Sequence, residues 1–244
     1  MLENKFLDRS IQKAFVSATP GCVEHHCKLG AILAEARNRH KSLAVCWLDL
    51  ANAYGSVHHS LIQFSLQHYH APPKFCQTLQ SLYTDLAAKV ITDQWATPPV
   101  PLNIGVFQGD PLSVMIFNTV INTLIDTLKT RLDLGYTLSD STRQVNVLQY
   151  ADDTCLLADS PAAAQHLLGV VNQWLQWSGM RAKVCKCHSL ALQGSTGKLI
   201  NPDLKLAGEP IPFIGNGSIK FLGMRIQVPH DVTATKESLH SLPT

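Results

Sequence analysis

Leu43-Ala44-Val45-Cys46-Trp47-Leu48 is a continuous apolar run that stops at Asp49. A short unbroken run of this kind predicts a fully buried strand, with Asp49 at its C-terminal end. A second apolar stretch is interrupted. Val145, Val147 and Tyr150 lead in, Cys155, Leu156 and Leu157 lead out, and Asp152 and Asp153 stand between. The pattern predicts two short buried strands joined by an acidic turn, a hairpin with carboxylates at its tip.

Helical spacing fills much of the rest. Phe6, Leu7, Ile11, Ala14 and Phe15 line one face of a predicted helix, broken by Thr19-Pro20-Gly21. Leu29, Ile32, Leu33 and Ala36 predict a helix from Val23 to Arg39, with Arg37, Arg39, His40 and Lys41 at its basic end. Leu61, Ile62, Leu66 and Tyr69 predict a helix stopped by Pro72-Pro73, and Phe75, Leu79, Leu82 and Tyr83 a second. Residues 86–104 read as a β-ribbon: Ala88, Val90 and Ile91 against Val100, Leu102 and Ile104. Pro98, Pro99 and Pro101 place it at an edge or in an irregular loop. Asp110-Pro111 starts a helix as N-cap and first residue. Leu112 through Leu128 make that helix apolar around much of its circumference, hence buried. Ser160-Pro161 caps another, carried by Leu167, Leu168, Val171, Trp174 and Leu175 and ended by Gly179; Trp174 and Trp177 are both read as core. Leu190-Ala191-Leu192 predicts a strand and residues 203–228 short strands. Residues 229–244 are polar and weakly patterned, a tail expected to lack order.

The composition is that of a core-forming globular chain. The 244 residues are 45% hydrophobic and 16% charged, which excludes a disordered chain. The net charge of +2 gives no bulk signal for nucleic acid. Seven cysteines without a regular framework point to reduced thiols and an intracellular protein. The start of the chain has no signal-peptide core, and no run approaches ~18 apolar residues, so no membrane segment is expected.

Three carboxylates stand out: Asp49 at one strand end, Asp152 and Asp153 at the hairpin tip. Ionised carboxylates beside apolar strands are costly unless compensated, and Mg²⁺ takes carboxylate and phosphate oxygens together. If the two elements pair, the carboxylates converge, which is the logic of two-metal phosphoryl transfer. Taken alone, an Asp-Asp turn accounts for the hairpin as well, since Asp is a common turn residue. The clusters Cys22, His25, His26, Cys27 and Cys185, Cys187, His188 match no common zinc spacing.

Five ordered segments carry a resemblance. Leu48 to Val57, Gly105-Val106-Phe107-Gln108-Gly109-Asp110-Pro111-Leu112-Ser113 with Phe117-Asn118, Tyr150-Ala151-Asp152-Asp153, Gly179 to Lys186, and Lys220-Phe221-Leu222-Gly223 resemble the motifs of the reverse transcriptase domain of non-LTR (LINE-like) retrotransposons. Gln12-Lys13-Ala14-Phe15 and Gly21-Cys22 are similar to segments upstream of them. Some positions depart. Gly55 stands where many relatives carry aspartate, Asp110 and Val114 replace a commoner serine and proline, and Lys183 replaces a frequent asparagine.

The resemblance implies an α+β fold, a polymerase palm with an antiparallel sheet backed by helices. Residues 1–42 would be partial fingers and 43–228 the palm, with no complete thumb and no endonuclease, as in a truncated copy. It implies RNA-directed DNA polymerisation with two Mg²⁺ ions, or Mn²⁺ in their place, on an RNA template, a DNA primer and deoxynucleoside triphosphates. Asp49, Asp152 and Asp153 would bind metal. Leu50 would lend its carbonyl, Tyr54 would exclude a ribose 2′-OH, and Gln108 and Gly109 would line the nucleotide pocket. Lys186 would approach the triphosphate, and Lys220, Phe221, Leu222 and Gly223 would grip the primer. The competing reading is a non-catalytic retroelement remnant that at most binds nucleic acid.

Overall fold

The computed structural model describes residues 8–15, 21–107, 109–139, 142–215 and 217–227. In chain order, helix α1 (Cys22–Asn38) precedes strand β1 (Leu43–Leu48), then α2 (His59–His68) and α3 (Pro73–Tyr83). A small ribbon, β2 (Ala87–Ala88) and β3 (Val100–Pro101), leads to α4 (Pro111–Lys129). Then come β4 (Tyr136–Thr137), β5 (Gln144–Val145), β6 (Val147–Tyr150), β7 (Asp153–Ala158) and α5 (Pro161–Ser178). The chain continues through β8 (His188–Leu192), β9 (Leu199–Ile200), β10 (Lys205–Leu206), β11 (Glu209–Pro210), β12 (Ser218–Phe221) and β13 (Met224–Gln227).

The main sheet has the order β6-β7-β1-β8-β9, antiparallel throughout. This explains the unbroken apolar run. β1 is the central strand and is buried at every position. Its alternate side chains enter two different cores, as a period of two requires. Ala44, Cys46 and Leu48 join α2, α4 and α5, whereas Leu43, Val45 and Trp47 join Leu29, Ile32 and Ala36 of α1.

α4 is the core helix. Asp110 caps it, its carboxylate accepting from Leu112 N at 3.0 Å, and Pro111 fills the first position. Ile116, Phe117, Val120, Ile121, Leu124, Ile125 and Leu128 are buried. At about 1.5–3 kcal/mol for each large side chain, this helix anchors the core it shares with α2 and α5. By length and composition α4 alone among the described helices is apolar enough to cross a membrane, which the uninterrupted-run criterion did not flag. Its burial between α2 and α5 accounts for that composition.

Several expectations are corrected. Ile11, Ala14 and Phe15 lie in turns, not on a helix; Phe6 and Leu7 are outside the described residues. Gln12 instead forms a parallel bridge with Gln149, and backbone bonds to that strand replace helical ones. Pro73 does not merely stop a helix but begins α3. The 86–104 ribbon shrinks to two-residue strands exposed along their length. Its prolines remove the donors a longer ladder needs. Trp174 is core, its Nε1 donating to Thr123 Oγ1 at 2.8 Å, but Trp177 is 52% exposed and packs edge-on against Phe64. The tail over 229–244 lies outside the described residues.

Candidate active site

The sheet's register assembles the carboxylates. Leu48 of β1 pairs with Thr154 of β7, and one residue beyond that pair stand Asp49 and Asp153. The β6–β7 turn puts Ala151 and Asp152 at the tip, with Ala151 at a positive φ of 51°. Asp49 is fixed through its backbone. Its N–H reaches Cys187 Sγ at 3.4 Å, and its carbonyl accepts from Lys183 N at 2.8 Å. Ala51 N donates to Arg181 O at 2.8 Å, and Leu50 bridges Ala182. Alternation along this ladder turns the Leu50 carbonyl away from residues 181–183.

The electrostatics follow from convergence. Burial raises the Asp152 carboxyl above the usual range, and the Asp49 charge adds to the rise. Asp153 is pushed up to about 6, first by burial, then by the charges of Asp152 and Asp49. Its side chain is nevertheless exposed at the tip. Water there screens what the surrounding protein mass takes away, so the firmer cause is repulsion from two neighbouring carboxylates. Among the described residues none of the three forms an ion pair. Nor does any group of three or more His, Cys, Asp or Glu side chains close into a compact metal cage there. The three aspartates are within electrostatic reach of one another without forming a complete ligand set of their own.

Two sides of this centre differ. A cleft of about 320 Å³ is lined by Asp49, Asp153, Lys186, His188, Lys220 and Phe221, among others. It brings the strand-end aspartate, one hairpin aspartate, the fourth-motif lysine and half of the predicted grip together. Leu222 and Gly223 form the β12–β13 turn, at φ 48° and 84°, and present the two residues before them to the cleft. On the other side the Asp152 charge acts on Tyr54, whose hydroxyl is held protonated mainly by burial and then by that charge. The Tyr54 ring stacks on Phe117, with centroids 4.4 Å apart and planes at 11°.

The second motif is tied to the first by backbone. Val106 N donates to Tyr54 O at 2.9 Å and Gly105 N to Val57 O at 2.7 Å. Gly105 sits at φ 94°, a backbone conformation that favours glycine, while a Cβ there would make only ordinary contact with Gly55, 3.4 Å from its Cα. At Gly55 itself a Cβ would fall within 2.3–2.7 Å of the Asn52 amide group, so the side chain of Asn52 occupies the space a larger residue would need. Gly109 is exposed at φ 93° just before the α4 cap. Gln108 lies outside the described residues.

Sequence reasoning missed several participants. His188 and Trp47 line the cleft. His188 closes the second Cys/His cluster, where a search for zinc spacing passes over a lone cleft residue. His25 is buried and its Nε2 is 2.9 Å from both Ile11 O and Gln149 O. It is therefore structural, not a metal ligand. His26 Nε2 is 3.3 Å from Leu222 O and its ring stands edge-on to Phe221.

The profile of the family described as "Reverse transcriptase (RNA-dependent DNA polymerase)" matches residues 3–226. The chain is 31% identical over 216 residues to a Pol polyprotein of the retrotransposable element R2 from Nasonia vitripennis, covering 87% of this chain and 20% of that protein. It is 28% identical over 183 residues to that of R2DM from Drosophila melanogaster, covering 75% of this chain and 17% of that one. The chain thus spans about a fifth of the length of these relatives. Among solved structures, telomerase from Candida tropicalis in complex with a telomeric RNA fragment is similar over 93% of this chain and 34% of its own, with a TM-score of 0.64 at 12% identity. The apo form gives a TM-score of 0.58 at 13% identity, covering 87% of this chain and 35% of its own. At that identity the likeness establishes the palm fold, and the R2 relatives bear out the non-LTR resemblance. With a family profile spanning nearly its whole length, the chain belongs to the reverse transcriptase (RNA-dependent DNA polymerase) family.

Proposed function

We propose that this chain is the palm of an R2-type RNA-directed DNA polymerase, adding deoxynucleotides to a primer 3′-OH along an RNA template. The observation that carries the proposal is the convergence of Asp49, from the central strand, with Asp152 and Asp153, from the hairpin, beside a cleft holding Lys186 and Lys220. The residues fit a hard divalent cation. They offer carboxylate oxygens that repel one another and have no ion-pair partner among the described residues. Their lack of a closed cage suits Mg²⁺, which takes one or two carboxylates and completes its shell with phosphates and water. Bound there, two Mg²⁺ ions, or Mn²⁺ in their place, would activate the 3′-OH and neutralise charge on the triphosphate.

The chain's own groups supply the rest of the reading. Lys186 is exposed in the cleft, where it would meet the triphosphate or give a proton to departing pyrophosphate. Tyr54, braced flat on Phe117, presents an aromatic edge where a ribose 2′-OH would collide. Leu50 keeps its carbonyl available, and Gly109 would border the nucleotide. Lys220 and Phe221 receive the primer strand, with Leu222 and Gly223 setting their turn. Seven free thiols fit an intracellular setting.

The test is Mg²⁺-dependent primer extension on an RNA template by the wild-type chain and Asp152→Asn. Extension that needs Mg²⁺ and disappears in the variant is expected. Extension that survives the substitution would remove Asp152 from the role assigned to it. A wild-type chain that binds the primer–template without extending it would favour the remnant reading.

A further inference from the structure

The tip of the catalytic hairpin is held by more than its two strands. Ala151 sits in the left-handed region at φ 51°, which a residue with a Cβ adopts only at a cost. Both polar groups of its backbone are bound by glutamines with no exposed surface. Gln12 Oε1 accepts from Ala151 N at 2.9 Å, and Gln149 Nε2 donates to Ala151 O at 2.8 Å. Gln149 Nε2 also donates to Thr154 Oγ1 at 2.7 Å, which ties the clamp to the first residues of β7.

Gln12 is itself held in register. Gln149 N donates to Ile11 O at 3.2 Å and Lys13 N to Gln149 O at 3.1 Å, so the segment lies along β6 as an added edge. His25 locks the same pair. Two carbonyls face its Nε2, so that atom carries the proton and donates to both, while Nδ1 is buried without a partner. Gln12 Oε1 accepts a second bond, from Ala14 N at 3.0 Å, yet its buried Nε2 has no partner. A buried amide with an orphaned donor is an expensive choice of side chain. It makes sense where the acceptor oxygen must reach a particular N–H and a carboxylate would bring a buried charge.

We propose that Gln12 and Gln149 form a clamp on Ala151 that sets the direction of Asp152 and Asp153, which makes Gln12 a positioning residue for the polymerase site. The kinetic part of this inference rests on the function proposed above; the clamp itself does not.

The test compares the full wild-type chain with Gln12→Met, which keeps the length and loses the acceptor, and Gln12→Glu, whose buried carboxyl takes up a proton and keeps a carbonyl acceptor. Amide exchange is followed by NMR. Gln12→Met speeds exchange at Ala151 by about tenfold or more, the worth of one hydrogen bond, while the β1–β7 ladder keeps its wild-type rates. Gln12→Glu keeps Ala151 protected. Unchanged exchange at Ala151 in Gln12→Met overturns the proposal. Acceleration that spreads equally through the β1–β7 ladder overturns it too, since that marks general loosening. In primer extension, Gln12→Met lowers kcat about a hundredfold and moves the deoxynucleotide KM by less than about threefold, the signature of misplaced reacting groups. A kcat equal to wild type overturns the positioning role. A wild-type chain that extends no primer overturns the polymerase reading, and the exchange result at Ala151 still decides the clamp.

Discussion

Replacing Asp153 by Asn should stabilise the metal-free protein at neutral pH and leave it unchanged below the carboxyl's ordinary value of 3.8. Its carboxyl is raised from 3.8 to about 6. A rise of about two units corresponds to about 3 kcal/mol for an unscreened group, at 1.36 kcal/mol per unit. Two considerations lower that figure. The side chain is exposed, so water screens the repulsion. Asp152 is also its neighbour in the unfolded chain, so only burial and the approach of Asp49 are specific to the native state. The native-state penalty is then roughly 1 kcal/mol. The sign follows from linkage. A group with a raised folded pKa favours the fold fully below its unfolded value, and that contribution is lost as pH rises through about 6. Urea unfolding at roughly pH 3 and 7.5, below the unfolded value and above the folded one, reads the effect directly. Asp153→Asn should match wild type at the lower pH and unfold at higher urea at the upper one. Mg²⁺ should reverse the order, since a ligand at a hundredfold its Kd stabilises by about 2.7 kcal/mol and the variant lacks one carboxylate. Equal midpoints at the higher pH, or a gap that persists at the lower one, would refute the claim that native repulsion centres on these carboxylates.

Phe117→Leu removes the surface on which Tyr54 stacks, and discrimination between deoxyribo- and ribonucleotides, read as a ratio of kcat/KM values, should fall about three- to tenfold. Gly105→Ala forces a residue with a Cβ into φ 94° and should cost about 1–3 kcal/mol in urea unfolding. Asp110→Ala deletes the α4 cap and should cost about 1 kcal/mol in thermal unfolding, with Asp110→Asn recovering most of it.

What the sequence made legible was what local rules govern. The 43–48 run, the acidic hairpin and both Pro-started, capped helices follow from periodicity and capping chemistry, and they stand where expected. What escaped were contacts between distant segments. Ile11 to Phe15 carry apolar residues that read as a helical face, but their backbone partner, Gln149, is far along the chain. Gln12 and Gln149 are polar in sequence, and no pattern marks a polar residue for complete burial. Trp177 failed for the opposite reason. Apolar character does not require burial, and its position on α5 falls at the margin of the packed face. The site was legible as a set of residue types, whereas the division between the Tyr54 side and the cleft side needed the register of β1 on β7.

The central place of β1 also sets a schedule for synthesis. Ala44 pairs with Ala158 and Leu43 with Leu192, so the strand that leaves the ribosome first among the main-sheet strands is flanked by partners that arrive much later. At about 5–20 residues per second, those partners follow only after roughly 5–30 s. Through that interval a wholly apolar β1 and the apolar α4 wait without their sheet. A nascent chain arranged in this way should lean on cotranslational chaperones, and slowing translation between residues 50 and 150 should raise aggregation more than slowing it after residue 192.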